Sequence, residues 1–218
     1  MKALILKDLN LAKTTWKAIL IFSLVYPAVF SSGNGITKAN MFRYIAFMIY
    51  MLAYSYIFYH EYKSMDFVNS LPANRFKIVC GRYISLMILA VLCIIIVLFA
   101  QEILGRIGIR VFSIYEINST FIFENFLVLI IWSTLMTPFI IGFGLDLGKT
   151  IQKLFMMIAI MAMTMVIYNM DDSAYERINL YVNNILGENY KVMILTGAFI
   201  LYIISMVISI YIYDRKEF

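Results

Sequence analysis

Apolar runs dominate this chain, and polar residues are confined to short segments between them. Stretches long enough to cross about 30 Å of hydrocarbon occupy residues 16–31, 42–59, 83–100, 121–144, 151–168 and 192–213. Tyr and Phe gather where these runs end, as aromatic side chains do at a membrane–water boundary. The pattern predicts an all-α integral membrane protein in which 1–218 form one membrane domain of about six transmembrane helices. An even number of spans puts both ends of the sequence on one side.

Three segments outside the spans carry a readable design. Ile5, Leu9, Ala12, Trp16 and Ile19 recur at i, i+4, i+7, i+11 and i+14, while Lys7, Asn10, Thr14 and Lys17 fall on the opposite face. This predicts an amphipathic helix lying in the inner membrane interface, with Ile5, Leu9 and Trp16 among its apolar contacts. The stretch from His60 to Arg82 is long for a link between two spans. Within it Met65, Val68 and Leu71 recur at i, i+3 and i+6, and Pro72 is placed to open a new helix that runs on into the third span. A short helix, a proline corner and a basic approach to the membrane follow, with a solvated loop as the other reading. After Asp172, Ser173 and Glu176 form a capping box, Tyr175, Ile178, Val182 and Ile185 make an apolar stripe, and Gly187 is placed to end it. A short helix at the outer surface is expected there.

Composition sharpens the class. Of 218 residues, 63% are hydrophobic and 14% charged, more apolar surface than one water-surrounded core of this size can hide. Lipid must therefore be a second solvent. The net charge of +5 is scattered over short segments, which argues against a nucleic-acid surface and for membrane orientation. With the N-terminus inside, the cytosolic segments hold Lys2, Lys7, Lys13, Lys17, Lys63, Arg75, Lys77, Arg82, Lys149, Lys153, Arg215 and Lys216. The outer segments hold only Lys38, Arg43, Arg106, Arg110, Arg177 and Lys191. An N-in, C-in topology follows, with Cys80 cytosolic. The first apolar run lacks a small-residue cleavage site, so it reads as a retained span and not a signal peptide.

Catalytic and metal chemistry is present only in fragments. Gly148-Lys149-Thr150 ends like a phosphate-binding loop, but Phe143 stands where its first glycine is needed and Gly144 is one residue too close. His60-Glu61 begins a zinc-protease string, yet Ser64 replaces the second ligand and His60 is the only histidine. Glu102 and Arg106 imitate a motif of intramembrane CAAX-type proteases, with Gln101 in place of its paired glutamate. Cys80 and Cys93 form neither a disulfide framework nor a C-x-x-C pair. No catalytic residue, metal site or directly bound cofactor is expected. Glu124 lies a turn inside the fourth span, and an intramembrane carboxylate is a candidate for lining a path, or at this depth for reaching interfacial water. Pro138, with Gly142 and Gly144, is placed to bend that helix. Met161 stands among Met156, Met157, Met163 and Met165, a pliant surface for apolar substrates or ordinary lipid-facing filler.

The order of these elements, together with the words Asn69-Ser70-Leu71-Pro72, Arg75-Phe76-Lys77-Ile78-Val79 and Arg82-Tyr83, resembles small bacterial ABC-2 type permeases, the membrane subunits of ATP-driven exporters. The resemblance implies that Glu61 to Ser70 is a coupling helix that docks on a separate ABC ATPase. Glu61, Met65, Asp66, Phe67, Val68 and Leu71 would form the docking surface, and the N-terminal helix would add a second contact. It implies ATP and Mg on that partner chain and a second permease subunit, identical or a sister. It further implies the plasma membrane of a Gram-positive bacterium, and as substrate an amphipathic peptide such as a phenol-soluble modulin, an antimicrobial or another hydrophobic molecule. Short outer loops argue against a large hydrophilic cargo. Two other classes compete. A secondary carrier needs charges or broken helices near the midplane, which these spans almost entirely lack. A membrane enzyme, or an immunity or sensor subunit, needs a catalytic set or an attached domain.

Overall fold

The computed structural model describes residues 2–30, 38–63, 74–106, 122–142 and 190–215, with isolated helical positions at Thr150, Leu154, Met157, Ile158, Arg177 and Leu180. Within these, the side chains of 27–30, 38–43, 61–63 and 105 are outside the description. All regular structure among the described residues is helical: α1 (Lys2–Thr14), α2 (Trp16–Phe30), α3 (Lys38–Lys63), α4 (Arg75–Arg106), α5 (Ile122–Gly142) and α6 (Tyr190–Asp214). By length and composition, the helices at Arg75–Leu104, Ile122–Gly142 and Tyr190–Asp214 are able to cross a membrane. They contain the expected spans at 83–100 and 192–213 and the described part, 122–142, of the one expected at 121–144. α2 has 15 residues, short of the roughly 20 that a perpendicular crossing takes. The span expected at 151–168 and the outer helix expected after Asp172 lie almost wholly outside the described residues.

Local chemistry sets the helix ends. The amphipathic stripe expected to run through Trp16 is broken at Thr15. Thr14 and Thr15 donate their hydroxyls to the carbonyls of Leu11 and Ala12, each at 2.7 Å, and the Thr15 amide also turns to Ala12 O at 3.0 Å. Such local bonds compete with the helical ladder. α2 then restarts, with Ile19 N donating to Thr15 O at 2.9 Å. A helix running into the third span is expected to open at Pro72; the described helix begins instead at Arg75. Asn74 caps it: its side-chain oxygen accepts from Phe76 N at 3.1 Å and its carbonyl accepts from Lys77 N at 2.8 Å, satisfying amides that have no partner within the helix. α4 then runs 32 residues, about 48 Å at the helical rise, so that Arg75, Lys77 and Arg82 stand on helical turns and not in a loop.

α3 is the innermost helix. Ile45, Ile49, Tyr50, Met51, Ala53, Tyr54 and Ile57 have no exposed surface, and α1, α2 and α4 all pack against it. α6 is peripheral. It buries only the stripe Ala198, Tyr202, Ser205, Ser209 and Tyr213, while Val192, Ile200, Leu201, Ile204, Val207 and Ile208 face outward. α4 likewise turns Val91, Ile95 and Phe99 to the exterior. An apolar exterior around an interior holding tyrosine, serine and threonine is what a lipid solvent selects, because dispersion with acyl chains replaces contact with water.

Candidate functional site

Four helix ends converge at one end of the bundle: α1, the last turns of α3, the first turns of α4 and the last turns of α6. α4 organises them. Asp8 of α1 and Arg82 of α4 are 3% and 5% exposed, and Arg82 Nη1 lies 3.5 Å from Asp8 Oδ1. Ser85 Oγ stands 2.8 Å from Asp8 Oδ2 and 2.8 Å from Arg82 O. Its single proton serves one acceptor at a time, and the charged carboxylate is the stronger. The Arg82 guanidinium also sits over the Phe58 ring of α3, 5.0 Å from the centroid, so one side chain joins three helices.

α6 is held from the same turns. Arg75 Nη1 donates to Asp214 O at 2.8 Å and to Tyr213 O at 3.4 Å, a cation on carbonyls that the end of a helix leaves without partners. The residue that follows Arg82, Tyr83, anchors a hydroxyl chain. Tyr83 Oη lies 2.7 Å from Ser209 Oγ and 2.8 Å from Ser205 Oγ, and Ser205 Oγ donates to Thr134 O of α5 at 2.7 Å. Since the Ser205 proton goes to Thr134, Tyr83 donates to Ser205 and Ser209 donates to Tyr83. Tyr202 Oη closes the cluster on Tyr83 O at 2.6 Å. α5 is fixed on its other side by α3, through the hydrogen bonds Tyr50–Ser133 and Tyr54–Thr137, the latter 3.2 Å, and through the edge-on contact of Phe47 with Trp132. Interhelical hydrogen bonds of this kind hold membrane helices together where the hydrophobic effect does not discriminate between protein and lipid.

The residues singled out from sequence are distributed unevenly over this frame. Ile5 and Leu9 are half-buried against the bundle, and Trp16, 36% exposed, opens α2. α1 therefore turns much of its stripe toward α3 and α4 with Leu6 outward, and the stripe's continuation at Trp16 of α2 is partly exposed. Glu61 belongs to the last turn of α3, its side chain outside the described residues, as are Met65, Asp66, Phe67, Val68, Leu71 and Met161. Glu124 is half-buried on the first turn of α5, at the end of that helix opposite Thr137 and Gly142 and remote from the Asp8–Arg82 pair. Pro138 is half-buried and does not end α5, which continues to Gly142. Asp8, Ser85 and Ser205 escaped the sequence analysis, and Tyr83 entered it only within the words that carry the family resemblance. One signal was available: Asp8 follows Ile5 by three and precedes Ala12 by four, which puts an acid on the apolar face of α1.

Apolar outer faces, hydroxyl contacts between helices and helices able to cross a bilayer make this a helical integral membrane protein. Residues 3–214 match the ABC-2 family transporter protein family, and the chain belongs to it: this is an ABC-2 type permease, the membrane subunit of an ABC transporter. No curated protein and no solved structure matches the chain.

Proposed function

We propose that this permease is the membrane-spanning half of an ATP-driven exporter, oriented with both termini in the cytosol, that moves an amphipathic peptide or another hydrophobic molecule out of the cell. A separate ABC ATPase binds ATP and Mg, docks on the segment Glu61 to Leu71, and takes a second contact from α1. Two permease chains, identical or sisters, enclose the path. ATP-driven closure of two ATPases rocks them against each other.

The observation that carries this reading is the family match over residues 3–214. The described last turns of α3 and first turns of α4, which residues 64–73 connect in sequence, support the docking role. That segment joins α3 to α4 at the end of the bundle where Arg75 and Arg82 hold α6, α1 and α3. Force applied there meets four helices within three turns of α4. The distribution of Lys and Arg favours this end as the cytosolic one.

The test is co-purification of the ATPase and its ATP turnover, with wild-type chain and with Phe67→Asp/Val68→Asp at equal membrane levels. Charges placed in an apolar docking surface should weaken binding by about 2 kcal/mol or more, roughly thirtyfold, while insertion is unaffected because no span is altered. Undiminished retention and turnover would remove this segment as the docking site, and a wild-type chain that retains no ATPase would refute the exporter reading.

A further inference from the structure

We propose that Asp8 and Arg82 are positioning residues that make α1 and the first turns of α4 a single lever, so that α1 moves whenever the segment joining α3 to α4 is displaced. The inference rests on the proposed function and names the device by which docking at that segment reaches the rest of the bundle.

Burial is the first argument. Asp8 and Arg82 carry opposite charges at 3% and 5% exposure, and a buried ion pair seldom adds stability over apolar residues of the same shape, because both charges lose their hydration. What such a pair does supply is register. Apolar contact between α1 and α4, such as Leu4 resting on Gly81, fixes register only weakly. Sliding α1 by one turn, about 5.4 Å, would exchange one such apolar contact for another. The same slide would withdraw Asp8 from between Arg82 and Ser85 and leave two opposite charges buried apart. The ion pair therefore opposes the slide.

Connectivity is the second argument. Residues 64–73 deliver the chain to Asn74, whose cap starts α4. Over the next three turns α4 presents Arg75 to the end of α6, Arg82 to Asp8 and Phe58, Tyr83 to Ser205 and Ser209, and Ser85 to Asp8. A displacement entering at Asn74 passes through these side chains before it reaches the apolar middle of the helix. α1 is bound to this node by charge, so it follows.

The experiment uses the permease with its ATPase in proteoliposomes, on a Cys80→Ala/Cys93→Ala parent. The Cβ of Leu4 is 3.6 Å from the position a Cβ on Gly81 would take, inside the range for a disulfide, so Leu4→Cys/Gly81→Cys locks α1 to α4 on oxidation. Asp8→Asn removes the charge and keeps the shape. It should retain the ATPase and lower ATP turnover per retained ATPase by about tenfold, the size usual for coupling between sites. Ser85→Ala keeps both charges and should lower turnover by about twofold to threefold, as loss of one hydrogen bond implies. Introduced into the parent, the oxidised cysteine pair should leave turnover unchanged; introduced into Asp8→Asn it should restore turnover, and reduction should remove that restoration. A residue that served folding alone would alter membrane level without this redox-dependent recovery. Unchanged turnover in both Asp8→Asn and Ser85→Ala, a cross-link that stops the parent, or a cross-link that fails to restore Asp8→Asn would each overturn the lever. If the parent retains its ATPase while any of these is observed, the lever fails and the exporter reading stands.

Discussion

Tyr83 gives the sharpest test of how the bundle is held. The side chain is 1% exposed and its hydroxyl joins Ser205 and Ser209, at 2.8 Å and 2.7 Å. Tyr83→Phe removes that oxygen and nothing else: the ring, its edge contact with Tyr202 and the bond from Tyr202 to the Tyr83 carbonyl remain. Each interhelical hydrogen bond in a membrane protein contributes about 0.6 kcal/mol on average, so two lost bonds amount to about 1.2 kcal/mol. Ser205 keeps its bond to Thr134 O, and Ser209 can turn its proton to a carbonyl one helical turn back, so no orphaned buried donor enlarges the penalty. For a chain of this size the loss should lower Tm by about 2–5 °C. Tyr83→Ala, which also empties a buried ring site, should destabilise by about 3–5 kcal/mol. A heating ramp in detergent with a thiol-reactive dye measures this directly, since Cys80 and Cys93 are both free and buried and become reactive on unfolding. Ser209→Ala alone and combined with Tyr83→Phe closes a double-mutant cycle whose coupling should be about 0.5 kcal/mol or more. Additive variants, or a Tyr83→Phe Tm within about 1 °C of wild type, would show that the hydroxyl chain does not hold α6 to α4.

Three further outcomes follow from the described geometry. Cys80 is buried and should resist an impermeant thiol reagent from either side, so topology is better read at Lys77, which is exposed. Lys77→Cys should label only in inverted vesicles and Asn184→Cys, on the segment expected outside, only in intact cells; the reverse pattern would overturn the orientation. Asn74→Ala removes the cap of α4 and should destabilise by about 1 kcal/mol, measured by the same thermal ramp, with Asn74→Asp restoring most of it. A Cβ on Gly142 would meet Ile212 Cγ2 at an ordinary 3.5 Å. Gly142→Ala should therefore be tolerated, while Gly142→Leu should lower stability by about 1–3 kcal/mol through overpacking, and equal Tm values for the two would refute that contact.

Much of the architecture was legible because a bilayer imposes length and polarity on any segment that crosses it. The runs at 83–100, 121–144 and 192–213 became α4, α5 and α6, with ends displaced where capping intervened: Asn74 starts α4 upstream of its apolar run, and Glu102 paired with Arg106 at 3.0 Å lies on the turns that extend it beyond. Proline chemistry put the start of α4 at Pro72, whereas the cap is supplied by Asn74. The break at Thr15 was not, since two threonines interrupt a stripe whose apolar period runs through them without a gap. The docking residues proposed between α3 and α4 rest on the family resemblance, because they lie outside the described residues.

Sequence alone determined which segments are apolar enough to leave water, and it carried the residues by which the family is recognised. Only the tertiary structure decided which of those segments is enclosed. α3, rich in tyrosine, buries most of its described length, whereas α6, with its isoleucines and valines, stands at the rim with most of its surface outward. Hydropathy cannot rank them, because lipid accepts apolar side chains as readily as a protein interior does, and polarity becomes the mark of the inside. For the same reason Arg82, counted from sequence as one more basic residue flanking a span, turned out to be buried against Asp8. The charge was visible in the chain, but its partner is a matter of how α1 folds back along α4, and no periodicity within either helix encodes that distance.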